Sequence, residues 1–512
     1  MAALVVFSFS FRRELLARQR PELPVAAPIA AAPIDARFDQ FWTDKGLKPL
    51  PPADDLQVAR RLSLALCGTI PAYSEIKWLE SRPASTRIAE WTDRLLADPR
   101  CHDYLAERLL RATNSLGTAD PFFIYRQRRY VQWLAERIAH RRPYDETVRE
   151  CVSGTGVWTD KPAVNFLTGH DLDPIKLANR TARGFLGLRI DCAQCHDHPF
   201  AKWKQGDFMG LAAWYGNAKL GFRGVQDGTG PVEIENSANQ KKEVVEPKAP
   251  FQPELLPAEG TPRERLAAWI VHPENKYFSR AIANRMWALL FGRGLVEPVD
   301  NLEGPEAVPG VLEMLAADFR ANGHDLQRLV RMIAATRAFR LQSAMHAEVD
   351  GKAEAAFAAF PLTRLRAEQA AGAIVQSATL RPIDDRSSAI AQLMAFGSQK
   401  DFVERFGDAG EEEMIARDGN LAQRLLLLNG EVLHKQIKHD LVNACQRIAQ
   451  FSPDVKSAVR NAYLATLSRS PTPKEADHFE ALLGAAKGDA FEREFEDLLW
   501  SLLNSSEFAW NH

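Results

Sequence analysis

Asp191-Cys192-Ala193-Gln194-Cys195-His196-Asp197-His198-Pro199-Phe200 holds two of the six cysteines and two of the twelve histidines of a 512-residue chain. Its Cys-x-x-Cys-His spacing is the pattern of covalent c-type haem attachment, in which two thiols add to the haem vinyl groups and the next histidine ligates the iron. One turn of helix spans the two intervening residues, so both sulfurs meet the same ring edge and the imidazole swings beneath the metal. On this reading Cys192 and Cys195 bind the cofactor, and His196 is its proximal ligand.

The flanking residues predict where the stretch sits. Leu177, Ala178, Thr181, Ala182, Phe185 and Leu186 recur at helical spacing, and that face is expected to run into the cysteines. After Pro199 come Trp203, Phe208, Met209, Leu211, Trp214 and Tyr215, again at helical spacing. This aromatic wall suits a flat apolar ligand and equally suits a plain core.

Further out, Asp54 and Asp55 offer N-caps for a helix carrying Leu56, Leu62 and Leu66 and closed by Gly68 and Pro71. Helical stripes continue through Trp91, Leu95 and Leu96, and through Tyr130, Trp133, Leu134 and Ile138, so residues 54–215 read as one helical domain. Short alternations such as Val232-Glu233-Ile234-Glu235 mark 216–260 as a hairpin-bearing insertion or linker. From 261 to 512 a second helical domain is expected: Pro262 starts its first helix, Gly292 caps another, and Asp325 caps a third. The predicted fold class is mainly α, two helical domains joined by a short β-containing insertion or linker.

Residues 1–53 read as an export remnant or anchor followed by an extended, Pro- and Ala-rich lead-in. Ala2 to Phe11 is mostly apolar, but Arg12 and Arg13 follow the run rather than precede it, the reverse of an export signal. An N-terminal membrane anchor therefore stands beside export as an expectation.

Composition narrows the function classes. With 46% apolar and 25% charged residues and a net charge of −2, the chain is ordinary for a globular protein and shows no basic, aromatic-interleaved stretch. Nucleic acid is not an expected partner. Neither Gly-x-Ser-x-Gly nor His-Glu-x-x-His is present, and Gly292 and Gly294 lack the third glycine or the lysine of a phosphate loop.

Three readings of the central stretch remain. Haem c requires an open sixth position or a distal ligand; Met209 is nearest in sequence, with His170, Met286 and His198 as others. A non-haem zinc or iron site would draw on Cys192, Cys195, His196 and His198, with Asp197 or a remote histidine helping. The two thiols would alternatively cycle as a dithiol and disulfide. In the third reading the stretch is structural: His198-Pro199 ends one helix, Asp197 caps the next, and there is no catalysis.

Longer blocks resemble one family. Phe185-Leu186-Gly187 through Cys192 to Phe200, with Trp203 and Gln205, is similar to the cytochrome-like domain of large secreted planctomycete-type proteins. Ala283-Asn284-Arg285-Met286-Trp287, Phe291-Gly292-Arg293-Gly294-Leu295-Val296, Pro471-Thr472-Pro473-Lys474-Glu475 and the 497–512 segment resemble that family's characteristic C-terminal domain. Arg60-Arg61-Leu62 and Gly68 to Pro71 resemble its opening segment, and the chain departs from the family at Ala65, where an Asp is usual. The resemblance implies an extracytoplasmic, periplasmic or secreted protein with haem c at Cys192, Cys195 and His196. Its expected partner is another extracytoplasmic protein.

Overall fold

The helix Asp55–Cys67 is the axis of the molecule. Every residue from Val58 to Leu66 is buried, and a helix buried all round must lie between two apolar bodies. Leu62, Ala65 and Leu66 belong to a first core running from Ile34 to Phe360, whereas Leu64 joins a second built from Leu365–Ile374 and residues of 444–508. The Asp54 carboxylate caps this helix at the Leu56 amide, and Gly68, left-handed, ends it, as the spacing predicts.

The structure is a computed structural model and describes residues 29–113, 121–236, 241–346, 350–383 and 444–512. In chain order its helices begin with α1 (Ala32–Asp44), α2 (the axial Asp55–Cys67), α3 (Tyr73–Glu80), α4 (Arg87–Leu96), α5 (Pro99–Thr113), α6 (Pro121–Ala139) and α7 (Tyr144–Ser153). They continue with α8 (Asn165–Thr168), α9 (Pro174–Arg180), α10 (Gln205–Ala213), α11 (Pro262–Ile270), α12 (Phe278–Phe291), α13 (Val311–Ala321), α14 (Leu326–Ala335) and α15 (Gly351–Ala355). The last are α16 (Ala367–Ser377), α17 (Ala444–Phe451), α18 (Val455–Leu467), α19 (Pro473–Ala485) and α20 (Asp489–Leu503). Strands are few: β1 (Ala218–Gly221) pairs with β2 (Gly224–Asp227), β3 (Glu233–Asn236) with β4 (Lys241–Val244), and β5 (Thr363–Arg364) with β6 (Trp510–Asn511), all antiparallel. The fold is mainly α, and the 216–260 insertion carries two hairpins.

The first core takes in helices from both sides of that insertion. α12, buried along nearly its whole length, packs against α2, α13 and α14, and α11 packs against α7. Of the expected lead-in, residues 1–28 lie outside the described residues, but 32–44 is helical rather than extended. Pro33 pre-sets its first turn, and Ile34, Phe38 and Trp42, spaced by four, bury one stripe. Phe38 stacks on Trp287 at 5.8 Å between ring centres, and Trp42 Nε1 donates to the Ala356 carbonyl at 2.8 Å. The stripe, not the composition, decides this segment.

The second core leans on α2 through α16. A Cβ on Gly372 would stand 2.3 Å from the Gly68 carbonyl oxygen, so only glycine permits this helix approach. At the head of α16, the Glu368 carboxylate accepts from Arg108 at 3.0 Å and from Arg366 at 3.0 Å. Burial alone would raise its pKa, but the two guanidinium groups outweigh burial and hold it at about 2 against an ordinary 4.5. A depressed carboxyl contributes stability that is present above pH 4.5 and lost as pH falls toward 2. Glu368→Gln is therefore expected to cost about 2 kcal/mol at pH 7 and almost nothing near pH 2. Urea unfolding of both proteins across that range checks this; a gap independent of pH would refute the assignment.

Candidate functional site

The Cys192–His196 stretch lies at the surface, and a chain of anchors explains its shape. The expected helical run into the cysteines does not occur. α9 passes into a π-helical turn over Thr181–Leu186, which stops at Gly187 with φ +61°. A Cβ there would come within 2.9 Å of Leu302, and the Leu302 amide donates to the Gly187 carbonyl at 2.8 Å. Glycine thus lets the chain leave the helix against the second domain.

A separate 3-10 turn then spans Asp191–Gln194. Ala193 is fully buried, whereas Cys192 and Cys195 are exposed free thiols. Cys192 lies within the turn and Cys195 follows it directly as its C-cap, so two exposed thiols three residues apart flank the buried Ala193. Gln205, at the start of α10, fastens the end of the turn: its Nε2 donates to the Gln194 carbonyl at 3.3 Å and to the Cys195 carbonyl at 3.1 Å. Its own amide donates to the Asp197 carboxylate at 3.0 Å, so Asp197 does serve the next helix.

The two histidines are held in opposite tautomers. His196 Nδ1 lies 2.8 Å from the Asp197 carbonyl oxygen, which only accepts, so Nδ1 carries the proton and, in the neutral ring, Nε2 keeps the lone pair. His198 Nδ1 instead accepts from the Phe200 amide at 3.1 Å, which places the proton of the neutral ring on Nε2. His196 is therefore prepared as a ligand, and His198 as it stands is not. His198 also donates its amide to the Trp203 carbonyl at 2.8 Å, which closes the loop.

The remaining candidates lie elsewhere. Met209 sits on α10, which packs against the 3-10 turn, but its side chain is buried in the first core. Met286 is buried on α12. His170 is also buried, with Nδ1 at 2.7 Å from the Phe166 carbonyl, and burial pushes its pKa down to about 4. The aromatic wall belongs to the core: Trp203, Phe208, Trp214 and Tyr215 are all buried, and Tyr215 Oη pairs with Thr181 Oγ1 at 2.7 Å. Phe200, 95% exposed, is the large apolar side chain displayed on the loop itself.

Among the described residues, no group of three or more His, Cys, Asp or Glu side chains is gathered closely enough to hold a metal ion. The donor chemistry at Cys192, Cys195 and His196 nonetheless fits the attachment edge of a haem: two exposed sulfurs three residues apart and one imidazole tied down through Nδ1. A cover for the ring is not supplied by the aromatics to which the spacing pointed.

Residues far along the chain hold this loop from behind. Asp300 receives Arg183 at 2.7 Å and Arg189 at 2.7 Å, and Arg183 also approaches Asp191 at 3.7 Å. Burial would raise the Asp300 carboxyl, but the two guanidinium groups hold it below the ordinary value. Trp203 Nε1 donates to Glu303 at 2.9 Å, and Lys202 pairs with the same carboxylate at 3.5 Å. Sequence reading singles out Gln205 only as part of a familiar block and misses Arg183, Arg189, Asp300 and Glu303, because no spacing rule links residues more than a hundred positions apart.

Two comparisons bear on this arrangement. The family model PSCyt2, described as a protein of unknown function (DUF1549), matches residues 33–219. The model PSD1, likewise a protein of unknown function (DUF1553), matches residues 262–483. The chain belongs to this two-domain planctomycete-type family. No curated protein and no solved structure matches it. The clamp at Asp300 and Glu303 thus joins the first family domain to the second.

Proposed function

We propose that this chain is an extracytoplasmic redox protein in which Cys192 and Cys195 would hold a c-type haem and His196 would ligate its iron. The observation that carries this reading is a pair of exposed free thiols three residues apart, next to an imidazole whose Nδ1 is tied to the Asp197 carbonyl oxygen. Each thiol would add its S–H across one vinyl double bond of the ring, so no atom is lost. When bound, the group would supply one-electron transfer or haem-supported oxidation. The chain's own part is to present the sulfurs, fix the His196 tautomer through the Asp197 carbonyl, and hold the turn through Gln205 and Asp300. Attachment of this kind takes place outside the cytoplasm, which supports the extracytoplasmic placement and an extracytoplasmic redox partner. No helix among the described residues is long and apolar enough to cross a membrane.

A second reading has its own support. Two exposed free thiols at i and i+3 also suit a dithiol–disulfide couple or a zinc or iron site completed by a partner. Maturation of the full chain in a host with haem-ligation machinery separates the two. The expected result is an alkaline-pyridine haem band that is lost in Cys192→Ala/Cys195→Ala, with an altered axial-ligand spectrum in His196→Ala. A colourless protein whose two thiols both alkylate would overturn the haem reading. Elemental analysis of that protein would then tell a metal site from a bare dithiol.

A further inference from the structure

Cys67 and Cys101 form a second thiol pair, away from the surface loop. Cys67 is the last residue of α2, and Cys101 lies in the first turn of α5, which packs against α2. The two cysteines are neighbours across this helix contact, and Cys67 is among the groups that, with burial, push the Cys101 thiol up. The next residues confirm how closely these helix ends abut: a Cβ on Gly68 would lie 2.6 Å from the Tyr104 ring. Cys101 is fully buried, whereas Cys67 is only partly covered. The Arg100 guanidinium, anchored at 2.6 Å by Glu75 and at 2.7 Å by Asp98, lies near enough to Cys67 to interact with it electrostatically.

We propose that Cys67 and Cys101 are a redox-reversible crosslink that locks the axial helix α2 to α5. The asymmetry of the pair sets the order of the chemistry. Cys67, reachable from solvent and beside a cation, attacks an external disulfide such as oxidised glutathione or a protein disulfide, forming a mixed disulfide and releasing one thiol. Cys101, whose thiol burial keeps protonated, is the resolving partner. It gives up its proton, attacks the Cys67 sulfur and releases the second thiol. Two cysteine thiols and one external disulfide thus become one internal disulfide and two external thiols, with electrons balanced. The other buried thiols lack such a partner arrangement: Cys151, for example, faces Tyr130 Oη at 3.1 Å.

The test equilibrates the purified full chain in glutathione buffers of increasing oxidised fraction, quenches it, and alkylates it in denaturant. With Cys192→Ser/Cys195→Ser in place, four of the six cysteines remain, and the expected product carries two alkyl groups and a linked Cys67–Cys101 peptide pair. Oxidation is also expected to raise the melting temperature, a shift that vanishes in Cys67→Ala, which removes only the partly exposed sulfur. Four alkyl groups under fully oxidising conditions, or a glutathione adduct on Cys67 that never closes, would overturn the proposal. Neither outcome touches haem attachment at Cys192 and Cys195.

Discussion

Arg61→Ala is expected to lower folding stability by about 3–5 kcal/mol, the largest effect of any substitution considered for this molecule. The residue is fully buried on α2. Its guanidinium donates to three main-chain oxygens: His512 at 2.8 Å, Phe339 at 3.0 Å and Leu341 at 2.7 Å. It also lies 3.8 Å over the Phe360 ring. Burial drives its pKa down to about 9, which leaves it charged at neutral pH. Truncation would open a cavity and strand three buried acceptors from two separate segments. Arg61→Lys should recover little, because an ammonium cannot reach three divergent carbonyls as a planar fork does. Chemical unfolding followed by circular dichroism measures the loss. A cost below about 1 kcal/mol for Arg61→Ala would mean that water replaces the guanidinium freely and that α2 is not the axis described.

The second large effect is expected at Asp300. Asp300→Ala removes the shared acceptor of Arg183 and Arg189 and should cost about 2–3 kcal/mol. Most of that comes from Arg183, whose side chain is 16% exposed; Arg189 is 37% exposed, so solvent screens its share. The local consequence is more specific than the global one. Leu188 to His196 should gain amide exchange, and Cys192 and Cys195 should alkylate faster, because the turn loses its anchor in the second domain. Asp300→Asn keeps the shape and loses the charge, so it should fall between the two. If Asp300→Ala destabilises the protein while exchange over 188–196 stays unchanged, Asp300 supports the core and does not position the site.

These two residues show what was readable in advance. The helix over 55–67 and both its caps follow from Asp54, the apolar spacing and Gly68, but Arg60 and Arg61 stand out in the sequence only as part of a block that resembles the family's opening segment. Only the fold explains them, since their partners come from positions several hundred residues away. The lead-in is the opposite case. The Ile34, Phe38 and Trp42 stripe was present all along, hidden by a high proline and alanine content. At the site, the cysteines and His196 are local in sequence and so were legible. The aromatic wall was left open between ligand cover and core, and the structure places it in the core, because period alone puts residues on one helix face without saying which neighbour that face meets.

By itself, the sequence determined the mainly helical class, the caps at Asp54, Gly68, Gly292 and Asp325, the two-domain order and the grouping of Cys192, Cys195 and His196, since each rests largely on residues near one another in the chain. Tertiary structure alone decided that the thiols are exposed and that Asp300 and Glu303 brace the loop. Those features depend on long-range packing, in which a buried charge or a turn takes its conformation from whichever distant segment satisfies it.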